Sequence, residues 1–454
     1  MFKKIRASEF HKNVLTLISG TAIAQAIPIL ISPILTRLYS PSDFGLIALY
    51  LAIVNIFVII ATGRYNLAIM LPESEKEASD LKYLAIYINL VVSIILFFVV
   101  LIFNHQITKI LDNKDIRVWL YFIPLSVFLR ALFQIYEYYE NRKKHYKTIS
   151  FANVSQSLGT SLTRAGMGFM HLGGFGMIVS SIFGALTGSL HIRFLSSKKN
   201  AVKYPKPSLN ALKVVGKRFK KFPLFTMPSN GLNTISVQIP VILLTRFFSA
   251  SIVGFYSFSH RMLSMPMFII GRSFAQVYFQ KASTLRYKKK ELADFTYSVY
   301  KKLLVIGIIP MSIIGVWGDY IFGFVFGKEW MIAGVYSQFL SVWFLFNFIS
   351  SPLGQIFSVL EKQQKSLVVN SFLLVFRATP LIIGGLLYAN NALNVIILYS
   401  MVSTVFWIGF CFYLLKLANV YIINAVYYTT KILIIIIIPL LLMRVYIFNI
   451  PFQV

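Results

Sequence analysis

The chain has 454 residues, 57% hydrophobic and only 13% charged, with a mean hydropathy of +0.71. That balance excludes a set of ordinary soluble domains, in which about a quarter of residues would be charged. The formal charge of +29 does not point to nucleic acid either, because the basic residues sit in short tracts between apolar runs, where a polytopic membrane protein keeps its cytoplasmic loops.

Apolar runs of about 20 residues, the length that crosses about 30 Å of hydrocarbon, recur along the whole chain. Six spans are expected near residues 14–36, 44–63, 81–103, 118–138, 148–170 and 174–195. The basic opening MFKKIRASEFHKN leads into the first of them with no small-residue cleavage site, and so reads as the flank of a retained helix. A basic stretch from Arg193 to Lys221 then interrupts the hydrophobicity. Six more spans are expected near 222–246, 253–272, 302–326, 331–359, 367–388 and 392–415, followed by one further apolar run at 431–449. The tract KLANVYIINAVYYTTK before that last run has the character of an interfacial helix, so both a spanning and a surface-lying placement stay open for the run.

The expected fold class is therefore an all-α polytopic membrane protein. Residues 1–200 form one six-helix bundle, 201–221 a basic cytoplasmic linker, 222–415 a second six-helix bundle, and 416–454 an amphipathic segment with one additional helix. Most of the 44 Lys and Arg residues fall on one side of this plan, which puts the N-terminus in the cytoplasm. The loops on the other side are too short for an external catalytic domain.

The second half repeats the first. LTRLYSPSDFG at Leu35–Gly45 returns as LTRFFSASIVG at Leu244–Gly254, keeping Leu, Thr, Arg, Ser, Ser and Gly in register, and Gly63-Arg64 returns as Gly271-Arg272. An even number of spans per half makes this a parallel repeat about an axis along the membrane normal. The opening helices of the two halves carry Pro28 and Pro33, and Pro228 and Pro240. Proline removes a backbone donor and kinks a helix, and paired broken helices in a duplicated membrane protein point to a substrate path.

Arg130, Arg164, Arg261 and Arg377 fall well inside expected spans. Each costs about 2.5–3.5 kcal/mol there unless it meets water or a partner. Glu137 is the nearest same-face partner for Arg130, while Asp319 and Glu361 sit nearer span ends. An excess of guanidinium suits an anionic cargo, because its forked donors match phosphate oxygens; snorkelling or pairing with helix carbonyls is the alternative use. The repeat-matched pairs Arg37 with Arg246, and Arg64 with Arg272, are read as either phosphate contacts at the two mouths or anchors to lipid headgroups. His260, beside Arg261, is the one histidine worth testing. In SFANVSQSLGTSLTRAGMGF, polar and small residues surround Arg164, so this helix is expected not to face lipid.

Catalysis, metal and cofactors find no support. The six histidines show no metal-ligand spacing, Cys411 is the single cysteine, and no phosphate-binding loop for ATP is present. No cofactor is expected, and a coupling ion, proton or sodium, is left open.

The stretches SGTAIAQAIPILISPILTRLYSPSDFGLIALY, TGRYNLAIMLPESEKEA and FAQVYFQKAS, within a twelve-span plan, resemble the Wzx-type polysaccharide flippases of the multidrug/oligosaccharidyl-lipid/polysaccharide exporter superfamily. The resemblance covers residues 14–415. It implies translocation of an oligosaccharide repeat unit, linked to undecaprenyl pyrophosphate, from the inner to the outer leaflet of the bacterial cytoplasmic membrane for O-antigen or capsule synthesis. It also implies alternating access by two bundles around a cationic cavity, with membrane lipids and other polysaccharide-assembly proteins as partners and no nucleic acid. Gln280 stands where many relatives carry proline and Asn66 where many carry an acidic residue; Asn66 removes a carboxylate partner for Arg64 and weakens the assumption of a coupling-cation site. A drug or metabolite exporter of the same architecture, and a membrane glycan polymerase, are the competing readings.

Overall fold

The computed structural model describes residues 19–199 and 207–447. The basic N-terminal flank with His11, linker residues 200–206 and the chain after 447 lie outside the described residues. Within them the chain is helical throughout: α1 (Ser19–Leu38), α2 (Pro41–Ala61), α3 (Glu75–Leu111), α4 (Trp119–Arg142), α5 (Tyr146–Phe169), α6 (Gly173–Lys199) and α7 (Leu209–Arg218). Then come α8 (Met227–Phe247), α9 (Ala250–Thr284), α10 (Lys289–Phe326), α11 (Met331–Leu353), α12 (Gln363–Leu387), α13 (Ala392–Leu417) and α14 (Ile422–Leu442).

Each of the thirteen expected spans finds a helix, yet among the described residues nine are long and apolar enough to cross a membrane. Helices α5, α8 and α9 fall short because polar residues interrupt them: Asn153, Gln156 and Arg164 in the first, Asn230, Asn233 and Gln238 in the second, His260 and Arg261 in the third. In α12 the described apolar stretch is the shorter Ser371–Leu387. The protein is a multi-pass, all-helical membrane protein.

The repeated sequence frame is a helix corner. In the first copy Leu35 and Thr36 are buried at the end of α1, and Thr36 Oγ1 donates to the carbonyl of Pro33 at 3.1 Å. Ser40 caps α2 in a full capping box: its Oγ accepts from the Asp43 amide and Asp43 Oδ2 accepts from the Ser40 amide, with Pro41 in the first turn. In the second copy Leu244 and Thr245 are buried at the end of α8 and Ser249 stands in the N-cap position of α9 with extended backbone. Ile252 replaces the acidic partner, so the reciprocal box is absent there. The matched Gly-Arg pairs diverge. Gly63 and Arg64 occupy consecutive left-handed conformations (φ 52° and 57°) that end α2, whereas Gly271 and Arg272 lie inside α9, which runs on to Thr284 because SFAQVYFQKAST contains no helix breaker.

The prolines act unequally. Helix α1 is interrupted at Ile31, just before Pro33, and Pro240 sits inside α8. Pro228 instead lies in the first turn of α8, after a π-helical turn at Phe222–Thr226, where its missing N–H costs no hydrogen bond.

The described chain packs as two compact units, Met1–Arg246 and Phe247–Val454. Nearly all of α8 thus belongs to the first unit, although the sequence placed it at the head of the second bundle. The described part of the expected linker is not loose either. Helix α7, capped by Ser208, buries Leu212 and Val215. Val215 joins a cluster with Tyr65, Ile69, Leu81 and Ala85, Tyr65 donates its hydroxyl to the Gly216 carbonyl at 3.1 Å, and Arg218 pairs with Glu77 at 2.6 Å.

In the second unit α11 is the central element and packs against α9, α10 and α13. A side chain at Gly334 would collide with the backbone of Gly318, so these glycines set the close approach of α10 to α11. The tract expected as interfacial is split: α13 ends at Leu417 and α14 starts at Ile422. Residues Ile422–Tyr446 are long and apolar enough to span, which favours a spanning helix over a surface-lying one by length and composition.

Candidate substrate-binding site

In the first unit two intramembrane arginines converge on one edge of α6. Arg130 of α4 donates through Nη2 to Ser181 Oγ at 3.2 Å and through Nη1 to Asn55 Oδ1 of α2 at 3.4 Å. Arg164 of α5 donates through Nε to Ser180 Oγ at 3.0 Å and through Nη2 to the Met177 carbonyl at 3.3 Å, while its own carbonyl accepts from the Tyr39 hydroxyl at 2.7 Å. Adjacent serines therefore hold the two guanidinium groups. The expected partnership of Arg130 with Glu137 does not form: its hydrogen bonds go to neutral groups, and among the described residues no carboxylate pairs with it. The reason is geometric, since seven residues along a helix rise about 10 Å, while Asn55 and Ser181 lie directly across. Arg164 is 6% exposed and is as much a packing element as a binding group.

The second unit brings His260 of α9 and Arg377 of α12 together among aromatic rings, with Arg261 next to His260 in the chain. His260 packs edge-on to Phe344 at 5.1 Å and beside Tyr256 and Trp343 at 5.9 and 6.2 Å. Arg377 of α12 lies within Coulombic range of both Tyr256 and His260. Arg261, half-buried on α9, meets no hydrogen-bond acceptor or carboxylate among the described residues. A guanidinium at that depth with no partner among the described residues is an anion-seeking group. The aromatic neighbours Tyr256, Trp343 and Tyr399 were not singled out from the sequence, because a Tyr or Trp at helical spacing carries no signal separating a cavity wall from a core.

The four repeat-matched arginines scatter. Arg37 is exposed and donates to the Pro33 carbonyl of its own helix at 2.9 Å. Arg246 pairs with Asp112 at 2.8 Å, both side chains more than half exposed. Arg272 is exposed on α9. Arg64 is half-buried in the turn after α2; its Nε finds no acceptor, and burial lowers its ionisation below the ordinary arginine range without neutralising it. Two residues on, both polar atoms of the fully buried Asn66 are unsatisfied.

One arginine was missed. Arg444, after α14, is fully buried and binds Asp319 of α10 in a two-pronged pair, Nη1 to Oδ1 at 2.9 Å and Nη2 to Oδ2 at 2.7 Å. The backbone of α10 breaks at Trp317 (φ −122°, ψ 19°), and the Val316 carbonyl there accepts from Arg444 Nη1 and from Gln338 Nε2. Gln338 also donates to Asp319 Oδ1 at 3.0 Å. The signal was present, since an arginine in the apolar tract IIIIIPLLLMRVYIF requires a buried partner and Asp319 is the acidic residue within 302–326.

Among the described residues no cluster of His, Cys, Asp or Glu could hold a metal ion. The first unit offers guanidinium groups beside neutral hydroxyl and amide donors and the second offers guanidinium groups and aromatic faces, chemistries that recognise phosphate and sugar respectively.

The model of the "polysaccharide biosynthesis protein" family matches residues 34–333. The chain belongs to that family. Two relatives of the polysaccharide biosynthesis chain are the succinoglycan biosynthesis transport protein ExoT of Rhizobium meliloti, 22% identical over 66% of this chain and 59% of that one, and the teichuronic acid biosynthesis protein TuaB of Bacillus subtilis, 20% identical over 74% and 68%. The match thus spans about six-tenths of the length of ExoT. In fold the chain is similar to the lipid II flippase MurJ in an inward closed conformation, with a TM-score of 0.73, 13% identity and coverage of 97% of this chain and 93% of that one. It is also similar to an inward-facing multidrug-resistance MATE transporter, with a TM-score of 0.63, 13% identity and coverage of 89% and 94%. This member of the polysaccharide biosynthesis protein family has a fold similar to those of MurJ and the MATE transporter.

Proposed function

We propose that this protein is a flippase that carries undecaprenyl-pyrophosphate-linked oligosaccharide repeat units from the inner to the outer leaflet of the bacterial cytoplasmic membrane, by alternating access, for O-antigen, capsule or a related surface polysaccharide. The N-terminus is cytoplasmic in this reading, following the Lys and Arg bias. The observation that carries it is the state of these arginines among the described residues: Arg261 without a protein partner and Arg130 held by neutral groups. Positive charge left uncompensated in a membrane is costly, and a pyrophosphate diester is the compensating charge that a glycan-lipid cargo brings. Family membership supports the glycan, and the resemblance to ExoT and TuaB, whose names place them in succinoglycan transport and teichuronic acid synthesis, supports export.

In this mechanism Arg261 and Arg377 take the pyrophosphate, Arg130 and Arg164 form a second cationic station, and Arg64 with Asn66 supplies unsatisfied polar atoms at the cytoplasmic mouth. Tyr256, Trp343 and Tyr399 offer faces for sugar rings. The test is the sidedness of lipid-linked repeat units in spheroplasts of cells lacking the gene, read with a membrane-impermeant sugar-binding probe. Accumulation on the cytoplasmic side, reversed by the intact gene, is expected. Repeat units already outside but unpolymerised would replace flipping with a step after translocation.

A further inference from the structure

The second unit carries an apolar groove of about 570 Å³ between α12 and α13, apart from all the arginines above. One wall is Lys365, Val368, Val369, Phe372 and Phe376, a single face of α12; the other is a face of α13 from Val405 to Tyr413. The two helices are antiparallel neighbours, so Lys365 and Tyr413 stand at the same end. At the other end Phe376 and Phe406 meet with ring centroids 5.2 Å apart and close the groove. From Lys365 to Phe376 the helix rises about 16 Å, half the roughly 30 Å hydrocarbon thickness of a bilayer. The groove therefore has the depth of one leaflet.

Two further observations say what fills it. The first is charge. Lys365 is the groove's one ionic residue, and among the described residues no carboxylate pairs with it. Lys362 at the N-cap of α12 and Lys416 in the last turn of α13 lie at the same end, and the acidic residue nearby, Glu361, is engaged by Arg286 at 2.8 Å. The second is Gly409. It sits in the interior of α13, where glycine costs about 0.5–1 kcal/mol relative to alanine, yet a side chain there would meet nothing within 4 Å. No neighbouring helix requires that glycine; it keeps the groove open.

We propose that this groove is a binding site for an anionic phospholipid of the surrounding bilayer, with one acyl chain lying between α12 and α13 over Gly409 and the headgroup phosphate on Lys365. A chain longer than one leaflet does not fit past the Phe376–Phe406 closure, which separates this occupant from a long polyprenyl tail. The site is independent of the cargo and of which way the protein faces.

The test is native mass spectrometry of the full-length protein in detergent, given phosphatidylglycerol or phosphatidylcholine with the same acyl chains. A lysine at headgroup level contributes a preference of about fivefold for the anionic lipid, which Lys365→Ala is expected to abolish. Gly409→Leu fills the groove without a clash and is expected to remove one retained lipid of either kind while leaving the melting temperature equal or higher. Equal retention of the two lipids by the unaltered protein, or an unchanged lipid count in Gly409→Leu, overturns the proposal. So does retention of undecaprenyl phosphate, but not phosphatidylglycerol, at a site that Gly409→Leu blocks.

Discussion

One arginine in each unit, Arg130 in the first and Arg444 in the second, is kept by opposite means. In Met1–Arg246, Arg130 is held by hydroxyl and amide groups, Ser181 and Asn55, which satisfy its donors and leave its charge in place. In Phe247–Val454, Arg444 is held by a carboxylate, with Gln338 and a freed carbonyl completing the set. The first arrangement keeps a positive field available to a ligand; the second cancels it. A buried ion pair contributes little net stability over an apolar pair, but removing one partner leaves the other stranded. Arg444 with Asp319 therefore reads as a structural clasp for the segment after α14, while Arg261, with no protein partner among the described residues, and Arg130 read as working groups.

The sharpest way to break this contrast is Arg444→Ala, expected to cost about 3–5 kcal/mol by stranding Asp319 and to lower the amount of folded protein and its melting temperature. Replacing both partners, Asp319→Leu with Arg444→Met, is expected to recover most of that loss, because no charge is then left buried. Recovery of export along with stability would confirm that the clasp takes no part in transport.

Arg261→Ala reverses the pattern. Stability is expected to hold or rise, since an uncompensated charge leaves the membrane, while cargo affinity falls by about 1.5–3 kcal/mol, roughly ten- to a hundredfold, as one charge-assisted contact is lost. Glycan export at constant protein level reads the effect. Unchanged export would move Arg261 from the working groups to the snorkelling ones.

A smaller effect tests the neutral cradle. Ser181→Ala removes one donor anchor of Arg130 while keeping the charge, and is expected to change cargo affinity by about 1 kcal/mol, a few-fold, with little change in melting temperature. If it instead destabilised the protein as strongly as Arg444→Ala, the cradle would be structural and the contrast between units would vanish.

The smallest effect concerns the exposed Arg286–Glu361 pair. The Arg286 guanidinium hydrogen-bonds Glu361 and holds its carboxyl below the ordinary glutamate range. A lowered folded-state value means that the pair's contribution is present above the ordinary carboxylate range and is lost as pH falls through the lowered value. Glu361→Gln is expected to leave neutral-pH stability nearly unchanged and to flatten the acid limb of a melting-temperature profile, with the difference shrinking in high salt.

Hydropathy carried most of the fold. Apolar length located every labelled helix except α7, and the repeated LTR frame marked a real corner whose Ser40 caps α2 and whose counterpart Ser249 begins α9. Hydropathy could not show where a helix stops outside the membrane, which is why α3 and α10 run beyond their apolar windows to Glu75 and Lys289. It could not show that α7 packs, because the apolar residues buried there, Leu212, Val215 and Phe219, are set among basic ones. At the site, the cost of a buried charge singled out Arg130, Arg164, Arg261 and Arg377, which lie on α4, α5, α9 and α12. Their partners stayed hidden, because Ser180, Ser181 and Asn55 reach them across helices and no sequence spacing encodes that register.

The measurement that bears most directly on the flippase reading is translocation of an undecaprenyl-pyrophosphate-linked oligosaccharide in vesicles containing the purified protein, followed by access of a sugar-binding probe to each face. The unaltered protein and the Asp319→Leu, Arg444→Met pair are expected to equilibrate the lipid across the bilayer, while Arg261→Ala reconstitutes normally and fails to do so. Equal translocation by Arg261→Ala would contradict the anion-binding role on which the proposal rests, and no translocation by the unaltered protein would contradict the flippase reading itself.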